Sequence, residues 1–112
     1  MQGTDCVTNV IYEIPLSCGN VYIGQTGRCF NDRAREHKLS VRNNSGGHLS
    51  EHCKPCGCEP LLESTTFLKK AKEKTEREII EAFFIKKKHD KCISAPSVSL
   101  LDKEVTYLDG CL

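Results

Sequence analysis

Two short runs of strand-forming residues, VIYEI at 10–14 and NVYIG at 20–24, are separated by a segment holding Pro15, Ser17, Cys18 and Gly19, and this interruption constrains the fold more than any other feature. β-Branched and aromatic side chains favour extended backbone. Pro15 lacks the amide donor a ladder needs, so a first strand from about Thr8 stops at Ile14. Gly19 and Asn20 supply turn residues, and a second strand runs from Val21 to about Gln25, giving an antiparallel hairpin. Gly24 and Gly27 follow, and glycine near a strand end marks close approach of another backbone or a ligand. The pattern then switches to a polar helix, capped near Asn31, running to about Val41 and ended by the breaker run NNSGG at 43–47. Arg33 and His37 stand four residues apart on one face of it.

A chain of 112 residues, more than a quarter of them charged, is long enough for one domain with a modest core and too short for two. We expect that domain to fill residues 1–112, with its core at about 8–100, and to be a fragment of a longer polypeptide. STTFL at 64–68 reads as a third strand. KTEREIIEAFFIKKK at 74–88 is the strongest helix signal, with good formers, no breaker and a cationic end that suits the macrodipole. Between Ile79 and Ile85 only Glu81 is polar, which puts a carboxylate at the core margin, where it needs a partner. The tail from Cys92 onward has a Ser-Pro loop and no assignable pattern.

The formal net charge of +1 offers nucleic acid no general attraction, so a DNA partner would have to be gripped locally. Lys69, Lys70, Lys72 and Lys74 are one place to do so, and equally a solvated face. No apolar run is long enough to span a bilayer, and MQGTDC resembles no secretory leader, so we expect an intracellular protein without a membrane partner.

Eight cysteines in so short a chain admit a disulfide scaffold, a metal site or buried thiols. The missing leader and the clustering of cysteine with histidine in HLSEHCKPCGC favour metal. His48 and His52 are one helical turn apart, and KPCGCEP at 54–60, with Pro55, Gly57 and Pro60, is expected to be a loop carrying ligands. Cys29, Cys92 and Cys111 are expected to be ordinary buried thiols.

By residue type, Tyr12, Tyr22, Arg33, His37 and Glu81 can form a site for phosphate chemistry. A carboxylate plus substrate phosphate can hold a hard divalent cation, an arginine suits developing phosphorane charge, and a phenol or imidazole can move a proton. The same residues can equally be packing tyrosines, a solvated arginine and histidine, and a glutamate paired to a lysine.

VIY at 10–12 followed by YIG at 22–24, then Arg33, His37 and EAFFIK at 81–86, resembles the signature of the GIY-YIG nucleases. The resemblance spans residues 10–86 and implies an α+β domain with a central three-stranded antiparallel sheet flanked by helices. It implies hydrolysis of a DNA phosphodiester with one divalent ion, Mg²⁺ or Mn²⁺. In it Glu81 holds the metal, Arg33 stabilises phosphate charge, and Tyr12 is general base or positions the water. Tyr22 and His37 assist proton transfer, and Gly24 lets backbone approach closely; apart from the resemblance, Lys69 and Lys70 of the basic run are candidate substrate contacts. Val10 replaces the first glycine of the signature. The family's asparagine after the glutamate helix falls in ISAPSVS, where Ser97 aligns and Ser94 is the alternative.

A cysteine in the hairpin with a downstream HxxxH is similar to the endonuclease domain of Penelope-like retroelements, which implies a covalently linked reverse transcriptase, nicking of DNA for integration and a nuclear location. Cys18, His48 and His52 match that pattern, while its second hairpin cysteine is absent. Cys6, Cys53, Cys56 or Cys58 can complete a tetrahedral zinc site, with Cys56 and Cys58 the foremost candidates, and zinc would add folding free energy to so small a domain. Two rival expectations stand beside the nuclease: a catalytically decayed, zinc-stabilised DNA-binding module, and a disulfide-bonded secreted domain.

Overall fold

A computed structural model describes residues 6–43, 47–96 and 98–112. Strand β1 (Val10–Pro15) is the middle of the sheet, with β2 (Val21–Thr26) on one side and β3 (Thr66–Lys70) on the other, both antiparallel to it. The central place follows from composition: Val10, Ile11, Tyr12 and Ile14 are all fully buried, which requires cover on both faces. Helix α1 (Phe30–Asn43) covers one face through Phe30, which packs with Val10, Tyr12 and Ile14. Helix α3 (Lys74–Lys88) covers the other, where Ile80 and Ile85 pack with Ile11, Ile23 and Ala71. Helix α2 (Gly47–Cys56) lies against α1, and its Leu49 and Cys53 form a third cluster with Leu16 and Cys58. This is the expected α+β architecture. No helix among the described residues is long and apolar enough to cross a membrane.

Several boundaries differ from expectation for local reasons. Pro15 is the last residue of β1, opposite Val21, since a terminal strand position tolerates a missing donor. The third strand starts at Thr66 because residues Leu62–Ser64 form a short 3₁₀ turn, closed by the Ser64 amide on the Leu61 carbonyl (2.9 Å). Helix α1 opens at Phe30, whose amide donates to Val7 O at 2.8 Å. The breaker after it falls largely on residues 44–46, outside the described residues.

The expected loop at 54–60 is helical as far as Cys56. Pro55 sits in the last turn of α2, and the helix ends at Gly57 (φ +75°), whose amide returns to Cys53 O at 2.8 Å. The unassigned tail holds a helix, α4 (Asp102–Cys111), fastened to α3 by Lys86–Asp102 (3.0 Å) and Lys87–Asp109 (3.2 Å). Ahead of it, the segment at 92–94 covers the outer edge of β2: Ile93 N donates to Val21 O (3.0 Å), and Ser94 Oγ accepts from Ile23 N (2.9 Å). Ser97 lies outside the described residues.

Arg77, unremarked in the sequence, is a buried cross-brace. It donates to Gln25 Oε1 (2.8 Å), Asn9 Oδ1 (3.1 Å), Ala71 O (3.1 Å) and Lys72 O (2.7 Å). The close approach expected at Gly27 is made by this guanidinium, since a Cβ there would stand 2.7 Å from Arg77 Nη2.

Candidate active site and metal centre

The hairpin register places Tyr12 opposite Gly24 and Ile14 opposite Tyr22, so both tyrosines and Gly24 share the α1 face of the sheet. A Cβ on Gly24 would stand 2.5 Å from Tyr12 Oη, so the close approach at this glycine is made by the phenol itself. The Tyr12 hydroxyl meets His37 Nε2 at 2.8 Å in a buried hydrogen bond. Tyr22 packs edge-on against His37 with ring centroids 5.0 Å apart, and Phe30 closes the other side of Tyr12 at 4.8 Å. Arg33, one turn before His37 on α1, lies close to both phenols. From the opposite layer, α3 brings Glu81 within electrostatic reach of Arg33, Tyr12 and Tyr22. Arg33 thus acts electrostatically on each of the other four residues singled out in the sequence.

Burial sets their protonation. It raises the Tyr12 phenol well above its ordinary value, with the neighbouring Tyr22 adding to the shift, and raises Tyr22 as well. Burial, with Arg33 beside it, lowers His37 to about 4. At neutral pH the pair is therefore a phenol and a neutral imidazole, and the stronger donor, Tyr12 O–H, donates to Nε2. Burial, reinforced by Glu78, raises Glu81 to about 7 against the pull of Arg33. Its Oε1 is buried without a hydrogen-bond partner. A buried carboxylate oxygen left this way is costly, and a cation is the partner that suits it.

Glu36 was not anticipated. It accepts from Arg28 (2.7 Å) and Arg33 (3.0 Å), and those bonds lower its carboxyl to about 2. The i,i+3 spacing of Arg33 and Glu36 was a usable signal. The reach of Arg28 depends on how the chain enters α1, which no spacing reveals.

At the hairpin turn a second constellation forms. The ligand atoms of Cys18, His52, Cys56 and Cys58 all lie within 4.8 Å of one another, a donor set that can hold a metal such as zinc. Cys18 Sγ is 3.4 Å from His52 Nε2. The Asn20 backbone amide, then His52, lower the Cys18 thiol to about 7, toward the thiolate that metals bind. Burial raises Cys58, as it does Cys53.

The expected pairing of His48 with His52 is not formed. His48 is exposed in the first turn of α2, whereas the cluster gathers at the other end, where the turn at Gly57 brings Cys58 back. Cys6 is no candidate ligand, because it is disulfide-bonded to Cys29, with Cα atoms 5.4 Å apart. That bond also corrects the expectation of a free thiol at Cys29. Cys111 is exposed and Cys92 half-buried. Lys69 and Lys70 are exposed on β3, the edge strand away from Tyr22. A depression of about 590 Å³ lined by Lys38, Arg42, Leu61 and Glu63 among others includes neither constellation.

Family models, curated proteins and solved structures were compared with the chain, and none matches it.

Proposed function

We propose that this chain is a metal-dependent DNA endonuclease domain of the GIY-YIG kind. The observation that supports the reading is that Arg33 acts electrostatically on Tyr12, Tyr22, His37 and Glu81 alike, and that the buried Oε1 of Glu81 has no hydrogen-bond partner. That orphaned carboxylate oxygen fits a hard divalent cation, Mg²⁺ or Mn²⁺, completed by phosphate oxygens and water. Bound there, the cation would neutralise negative charge on the phosphate. Arg33 donates to Glu36 and faces both phenols, a position from which its charge would act on a phosphate as negative charge grows in the phosphorane. Tyr12 holds the attacking water by a lone pair of Oη, and as the water loses its proton, Oη accepts it while passing its own proton to His37 Nε2. Neutral His37 is free to accept because burial keeps it unprotonated. Tyr22 packs on His37 and keeps the imidazole aligned. Gly24 leaves the space that Tyr12 Oη occupies.

Cys18, His52, Cys56 and Cys58 would hold a zinc ion in this reading, which would join the hairpin turn to the end of α2 and contribute folding free energy. DNA nicking by a domain attached to a reverse transcriptase, acting in the nucleus, is the biological setting the sequence resemblance suggests.

The test is nicking of supercoiled plasmid by purified protein across a range of Mg²⁺, Mn²⁺ and salt. Metal-dependent conversion to open circles is expected, and Glu81→Ala or Arg33→Ala should abolish it. Intact plasmid under all conditions would sink the nuclease reading. Binding without cleavage would support the decayed DNA-binding module instead.

A further inference from the structure

We infer that Cys53 and Cys58 form a redox-modification site, in which a peroxide joins the two sulfurs as a disulfide and so removes Cys58 from the metal centre. The loss of metal rests on the reading of Cys18, His52, Cys56 and Cys58 as ligands, whereas the pairing of the two sulfurs does not.

A tetrahedral site uses four donors, and this corner of the molecule holds five. The fifth, Cys53, is buried with Leu16 and Leu49, a place that an aliphatic side chain could fill. Its sulfur nevertheless stands 3.6 Å from Cys58 Sγ. The backbone holds that approach: the Gly57 amide returns to Cys53 O at 2.8 Å, and the positive φ of Gly57 turns residue 58 back toward residue 53. A disulfide needs the sulfurs at about 2 Å, so closure requires a shift of roughly 1.5 Å, within reach of side-chain rotation. Cys58 is buried, but its sulfur lies within 4.8 Å of those of exposed Cys18 and Cys56, one side chain below the surface a small oxidant meets.

The chemistry balances. Cys58 gives up its proton as its sulfur attacks one peroxide oxygen, the O–O bond breaks, and the departing hydroxide takes that proton and leaves as water, giving Cys58 sulfenic acid. Cys53 sulfur attacks the sulfenyl sulfur, the S–S bond forms and a second water leaves. Two thiols are oxidised by two electrons and one peroxide becomes two waters. Only three donors remain, which weakens the hold on the metal, and once the metal leaves, the tie between the hairpin turn and α2 goes with it.

The experiment uses the full chain. Metal analysis of protein purified with zinc expects one equivalent. Hydrogen peroxide is then added with a chromogenic zinc chelator, and cysteine states are read by alkylation and tandem mass spectrometry. Wild-type protein should release its zinc with a Cys53–Cys58 disulfide, and dithiothreitol should restore full binding. Cys53→Ser and Cys53→Ala should still bind zinc before oxidation, but with no partner thiol Cys58 should proceed to sulfinic acid, and dithiothreitol should not restore binding. The same oxidation on metal-free protein separates the two readings: no bound zinc but a Cys53–Cys58 disulfide would overturn the metal reading and leave the pairing standing. Free Cys53 after oxidation, a disulfide joining Cys58 to Cys56 or Cys18, or full recovery of the Cys53 variants would overturn the inference.

Discussion

His37 connects stability to acid at the scale of a single residue. Its folded value of about 4 lies below the 6.5 of an ordinary histidine, so as pH falls the unfolded chain takes up the proton first. The stabilisation from keeping it neutral is whole above pH 6.5 and is lost as pH falls through 4. Chemical denaturation should show about 2–3 kcal/mol of stability lost over that window, and His37→Asn should flatten the slope. Glu81 has the opposite character, because its folded value of about 7 is raised above that of a free carboxyl. Ionising it costs the apoprotein stability as pH rises, so Glu81→Gln should melt higher at pH 8, by about 1 kcal/mol, while losing all nicking. Gly24→Ala tests the shape of the site: its Cβ would meet Tyr12 Oη at 2.5 Å and force the phenol off His37. Overpacking of this kind costs about 1–3 kcal/mol, and nicking should fall more than stability does.

Among the elements, the Cys6–Cys29 bond ties the segment before β1 to the start of α1 across a sequence separation of 23. Cross-linking a loop of that size constrains the unfolded chain by about 3 kcal/mol, so Cys29→Ser should lower stability by about that amount in denaturant. Helix α4 behaves differently. None of its residues is buried, and it meets α3 through ion pairs whose aspartates are largely exposed. Asp102→Asn with Asp109→Asn should therefore cost less than about 1 kcal/mol by thermal melting, with the loss vanishing at high salt. The same contrast explains why α3 was legible and α4 was not. Helix α3 has strong formers and an apolar stripe that buries Ile80, Phe83 and Ile85, whereas α4 has a short, mixed pattern without a buried face.

For the whole molecule, the two constellations are joined through one hairpin. Strands β1 and β2 carry Tyr12 and Tyr22, and the turn between them carries Cys18. Removing the proposed zinc should loosen that turn and lower the melting temperature, and calorimetry with and without a chelator checks this. Because the residues proposed to be catalytic lie on the strands and on α1 and α3, nicking should weaken on zinc removal without being abolished outright.

The sequence by itself determined the hairpin, the α1 and α3 helices and the five residues of the candidate site, because strand and helix propensities are local and the apolar run around Glu81 announces a carboxylate out of place. Even there, Ser64–Leu68 slipped to Thr66–Lys70, since a 3₁₀ turn and a bulge beside Tyr12 depend on what β1 offers as a partner. Tertiary structure alone decided which thiols meet. The clustering of cysteine and histidine, with the family resemblance, had already singled out Cys18, His52, Cys56 and Cys58, but choosing among cysteines is a question of distance between segments far apart in the chain, so nothing local could reveal that Cys6 takes Cys29 or that His48 stays outside the donor set. It also decided the protonation of the site, because burial and the approach of Arg33 to Tyr12 on β1, Glu81 on α3 and His37 on its own helix set their charge.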